Sequence, residues 1–175
     1  MKLTYITIPL LFFSFVIVQN SFLAYAGVMG DSLHIVFIVF FIIIFFEDNR
    51  QLYQRRQMSF YTSMLSNEGL IVAIIAGFFT DVFSPLYFGI GVSAFILVYF
   101  LEKSIMHALL ENTDRYPLSY FIPIFLVCLL AYDALWYFLT LDLDITVSMG
   151  PTIIVSLAYH ALVACVGFYL YKTCA

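Results

Sequence analysis

Apolar residues in this chain come in long unbroken runs separated by short polar stretches, a pattern of helices and not of alternating strands. Six runs stand out, at 3–23, 31–46, 69–83, 85–101, 118–139 and 151–171. A helix needs about 20 residues to cross a bilayer, so the runs predict six spans of a single transmembrane domain, with 47–67 as a loop. The second, third and fourth runs are short for a crossing, which implies little tilt, local bilayer thinning, or a place inside the bundle where polar ends stay wet. The third and fourth also fit a re-entrant hairpin.

Composition decides between membrane and water. Of 175 residues, 64% are hydrophobic and 10% charged, against about 45–50% apolar and about 25% charged in soluble domains. A water-soluble fold has too little interior for that much apolar surface. The excess must face lipid, where every backbone polar group is paired inside a helix or a closed barrel. The expected fold class is therefore an all-α integral membrane protein, a six-helix bundle with no substantial soluble domain. Cys128, Cys165 and Cys174 have no paired spacing, so neither a disulfide framework nor a zinc site is implied, and no motif asks for a cofactor.

Charge sets the orientation. The seven basic residues are Lys2, Arg50, Arg55, Arg56, Lys103, Arg115 and Lys172, and six crossings put all of them on one side. The opposite segments carry Asp81, Asp142 and Asp144 without Lys or Arg. Because cytoplasmic loops retain basic residues, this predicts an inner-membrane protein with both termini in the cytoplasm. The amino terminus also has the look of a secretory signal, with Lys2, an apolar stretch and Ala24-Tyr25-Ala26. The length of its apolar run favours a retained span.

Candidate chemistry gathers in three places. Gly69, Ala73, Ala76 and Gly77 precede Asp81, Ser84, Pro85, Gly89 and Gly91, and such small residues let helix backbones approach closely. Ser84 and Pro85 are expected to cap and open the fourth helix. Asp81 either caps exposed amides or marks a partner contact at the membrane boundary. In the fifth span, Asp133 sits among Tyr132, Trp136 and Tyr137, and a charge there costs about 2.5–3.5 kcal/mol on insertion scales. His160 in the sixth span is its expected partner, as a structural clasp or as part of a ligand or proton-relay site. Ala158, Ala161, Ala164, Cys165 and Gly167 make the sixth span a close-packing surface. In the loop, Tyr53, Phe60, Tyr61, Met64 and Leu65 recur at helical spacing beside Arg50, Arg55 and Arg56. That fits an amphipathic helix on the lipid surface or a docking site for a cytoplasmic protein.

The pattern Gly77, Asp81, Pro85, Gly89 resembles the rod shape-determining protein MreD family. The resemblance implies a small bundle similar in fold to the substrate-binding subunits of energy-coupling-factor transporters, and a non-enzymatic scaffold of the cell-elongation machinery that directs peptidoglycan synthesis. It implies the bitopic protein MreC as partner, with MreB, RodA and a class B penicillin-binding protein in the same assembly, and no nucleic acid. The loop at 47–67 is longer than the family's usual connection. No phosphate-binding Gly-rich loop with Lys, HExxH helix or GxSxG elbow is present. An aspartyl dyad of Asp81 and Asp133 lacks its second half, because Gly89-Ile90-Gly91 is followed by Val92. The competing expectation is a solute-binding subunit of the transporter type, which fits in size but lacks an Ala pair at four-residue spacing in the first span.

Overall fold

The computed structural model describes residues 7–23, 34–54, 67–84, 88–110, 118–139 and 151–174, and within them the chain is helical apart from His34, Ser84 and a turn at Phe88 and Gly89. Helix α1, Thr7–Val18, passes directly into one π-helical turn, Gln19–Leu23. Then come α2 (Ile35–Gln54), α3 (Asn67–Phe83), α4 (Ile90–Leu110), α5 (Leu118–Leu139) and α6 (Pro151–Cys174).

Helix α2 is the centre of the bundle. Its sequence from Ile35 to Phe46 is apolar on every face, and a helix without a polar face must be covered all round. Val36, Phe37, Phe40, Phe41, Ile44 and Phe45 are buried accordingly, while α1, α3, α5 and α6 pack against it. Aromatic rings fill the space between helices: Phe40 meets Phe95 at 4.8 Å, Phe41 meets Phe125 at 5.2 Å, and Phe121 meets Phe168 at 4.6 Å. Each such pair contributes about 0.5–1.5 kcal/mol beyond its burial. Gly167 lets α6 come close to α2, since a Cβ there would lie 2.7 Å from Ile42 Cδ1.

The outer helices are apolar on the outside as well. Leu10, Phe78, Phe88, Phe138, Leu162 and Tyr169 all stand exposed, and contiguous apolar exteriors mark membrane or protein contact. One helix, Ile90–Leu109, is long and apolar enough to cross a membrane, and shorter apolar helical stretches lie at Thr7–Ser21, Ile35–Phe46, Tyr120–Trp136 and Val155–Leu170.

Three boundaries, on two helices, differ clearly from those the sequence predicts. Helix α2 continues to Gln54, so the segment expected to be loop from residue 47 begins as helix, with Arg50 in its last turns. Helix α4 starts at Ile90 and not at Pro85, and ends at Leu110 and not at 101. Pro85, Arg55, Arg56 and the triplet Ala24-Tyr25-Ala26 lie outside the described residues.

Candidate functional site

The end of α3 and the start of α4 form one joint. Asp81, 4% exposed in the last turn of α3, receives three backbone N–H groups from the next helix. Gly91 donates to Oδ1 at 2.6 Å, and Gly89 and Val92 donate to Oδ2 at 2.9 and 3.1 Å. The first amides of a helix have no partner within it, and its positive end favours a carboxylate. Asp81 therefore caps α4 from another helix, taking the role expected of Ser84. The Ser84 N–H instead closes a turn on the Asp81 carbonyl at 3.2 Å.

The glycines of the pattern follow from this joint. Gly89 has φ +104°, a left-handed conformation that a side chain resists. A Cβ on Gly91 would stand 2.7 Å from Asp81 Oδ1, and one on Gly77 would collide with the Val92 backbone. Gly77, Asp81, Gly89 and Gly91 are thus a single geometric unit: Gly77 and Gly91 leave no room for a Cβ, Gly89 supplies a backbone conformation that side chains resist, and Asp81 supplies the acceptors.

A second cap holds the start of α2. The His34 N–H donates to His160 Nε2 at 3.0 Å, and the Val36 N–H donates to Gln19 Oε1 at 3.1 Å. His160 Nδ1 lies 2.8 Å from the Ser156 carbonyl oxygen. A carbonyl only accepts, so Nδ1 carries the proton and Nε2 is the bare acceptor. Both ring nitrogens of the neutral imidazole are then used. This corrects the expected clasp: His160 is satisfied by His34 and Ser156, and has no ring donor left for Asp133. The His34 and His160 rings stack at 5.3 Å.

Between these caps lies a cavity of about 260 Å³. The closing turn of α1 contributes Gln19 and Asn20, the end of α3 contributes Thr80 and Ser84, and α5 contributes Tyr132 and Trp136. His34, at the start of α2, completes a wall with Tyr132, whose ring lies 5.7 Å away edge-on. Tyr132 and Trp136 stack at 6.0 Å. Sequence reasoning named the two α5 aromatics but missed Gln19, Asn20 and His34. Their only signal is that polar residues interrupt the ends of apolar runs.

At the opposite end of α4, Glu102 and Lys103 are buried, at 1% and 6% exposure. The Lys103 ammonium lies 5.6 Å from the centroid of the Tyr99 ring. Gly69 makes room for that ring, because a Cβ there would lie 2.6 Å from Tyr99 Cε2. The sequence places Lys103 just beyond the fourth span, among the basic residues of the cytoplasmic side. The helix instead runs past it, and neighbouring helices cover it.

Among the described residues no group of His, Cys, Asp and Glu is arranged to hold a metal ion. Searches against protein-family models, curated proteins and solved structures find no match to this chain.

Proposed function

We propose that this chain is a multi-pass inner-membrane scaffold of the MreD type, with both termini in the cytoplasm, serving the machinery of cell elongation and peptidoglycan synthesis. The apolar exterior of the helices and the segregation of Lys and Arg support the membrane placement. Catalysis is not its role.

The observation that carries this reading is the α3–α4 joint. The residues by which the chain resembles that family, Gly77, Asp81 and Gly89, meet in one place and serve to lock two helices together. A carboxylate that accepts three amides is committed to structure. What the locked hairpin offers outward is apolar: Ile74, Phe78 and Val82 at four-residue spacing on α3, with Phe88 meeting Phe78 at 5.7 Å. Such a stripe suits the single membrane helix of a bitopic, MreC-like partner, with MreB, RodA and a class B penicillin-binding protein reached through the assembly. The cavity between α1, α2, α3 and α5 favours a second reading, a solute-binding subunit of the energy-coupling-factor type.

Depletion of the chain in its native cells separates the two. The scaffold reading expects loss of elongated shape that no added nutrient restores. Unchanged shape with a growth defect cured by one supplied solute overturns it in favour of uptake.

A further inference from the structure

We propose that the cavity at the α1–α3–α5 end of the bundle binds an ammonium group, that of a small alkylammonium solute or of a lipid headgroup. This site rests on neither functional reading above, since a scaffold and an uptake subunit can both carry it.

Three independent features select a cation. The first is helix polarity. Three helices finish at the cavity: α1 through Gln19 and Asn20, α3 through Thr80 and Ser84, and α5 through its last two turns at Tyr132 and Trp136. Each presents its carbonyl end, equivalent to about half a negative charge. Of the helices that start at this end, α2 has its His34 and Val36 N–H groups already taken by His160 and Gln19, and α4 has its Gly89, Gly91 and Val92 N–H groups taken by Asp81, so both offer an anion little.

The second feature is formal charge. Among the described residues no Lys or Arg lines the cavity. Two carboxylates adjoin its lining in the chain, Asp81 next to Thr80 and Asp133 next to Tyr132. The third feature is the wall itself. Tyr132, Trp136 and Phe83 present aromatic surface, whose negative faces attract ammonium groups, and desolvation strengthens that attraction. Asn20 adds a side-chain carbonyl for a primary ammonium, and among the described residues it has no hydrogen-bond partner. About 260 Å³ holds a head group of trimethylammonium size with a short tail.

Trp136 is the only tryptophan in the chain, so intrinsic emission reports this cavity alone. The full chain in nanodiscs of pure phosphatidylglycerol is titrated with choline and, separately, with 3,3-dimethylbutan-1-ol, its uncharged isostere. The expected result is a saturable change in Trp136 emission at least ~10-fold tighter for choline, the size of a desolvated cation–π preference. Asn20→Lys, at an exposed position that leaves the core intact, abolishes the response, and Asn20→Gln keeps it. Asp133→Asn weakens choline several-fold without changing the alcohol. Repeating the titration in nanodiscs containing phosphatidylethanolamine names the source: a choline response weakened there identifies the lipid headgroup, and an unchanged one identifies a free solute. No saturable response to choline in phosphatidylglycerol, equal binding of the alcohol, or a response that survives Asn20→Lys overturns the proposal.

Discussion

Removing the Asp81 carboxylate should be the most damaging single polar substitution in the chain. Asp81→Ala deletes the acceptors of Gly89, Gly91 and Val92 while leaving those amides at a packed helix junction. A buried donor left unpaired costs about 1–3 kcal/mol. Three of them, with some relief from entering water, give about 3–6 kcal/mol. Asp81→Asn is the finer test. Its carbonyl oxygen can keep Gly89 and Val92, but its NH₂ then faces the Gly91 N–H at the 2.6 Å contact. One lost bond and one opposed donor pair predict a loss of about 2–3 kcal/mol. Asp81→Glu should not rescue, because the carboxylate already touches the Gly91 backbone and an added methylene has no room. Unfolding by SDS titration in mixed micelles, followed by far-ultraviolet circular dichroism, measures the order Ala, Asn, wild type. Hydrogen exchange at the Gly91 amide localises it. An Asp81→Ala chain within about 0.5 kcal/mol of wild type, the range of an ordinary surface change, refutes the capping argument.

Other expectations follow from the same geometry. Gly89→Ala costs about 1–3 kcal/mol, from backbone strain alone, because nothing lies near its Cβ; Gly77→Ala, which strikes the Val92 backbone, should cost more in the same titration. His160→Ala leaves the His34 amide without an acceptor and costs about 1–3 kcal/mol, with partial recovery in His160→Gln by thermal unfolding. Gly69→Ala destabilises the wild type but much less a Tyr99→Leu background, because the ring it strikes is gone; the non-additivity is read from a double-mutant cycle. In intact cells a cysteine placed at Ser84 should react with an impermeant maleimide and one placed at Asn49 should not, since the former sits at the end without Lys or Arg.

The helix count and rough positions were legible because long apolar runs leave few alternatives. A place inside the bundle was one option read for the second, third and fourth runs alike, and only the fold shows that α2 is the one at the centre. The start of α4 was not legible either. Ser84-Pro85 has the local chemistry of a helix opening, but an acceptor four residues before Pro85 on another helix captures the amides of Gly89, Gly91 and Val92, a tertiary effect that no local pattern carries. The partner of His160 was missed for a related reason: matching two polar side chains by depth overlooks the backbone amides at a helix start, which need acceptors just as much. The burial of Lys103 was not legible, because retained-charge reasoning counts basic residues without asking whether neighbouring helices cover them. The Gly77–Asp81–Gly89 pattern was visible, and its physical meaning, a carboxylate clamp between glycine-thinned backbones, needed the fold.

The most direct measurement is purification of tagged chain from its native membrane in mild detergent, with identification of what remains bound, for the wild type and for Phe78→Asn with Phe88→Asn. These exposed residues can change without disturbing the joint. The account predicts recovery of a single-pass membrane protein with elongation components, lost in the double variant while helicity and melting are kept. Recovery of an ATPase pair with a membrane coupling subunit, insensitive to those substitutions, contradicts it.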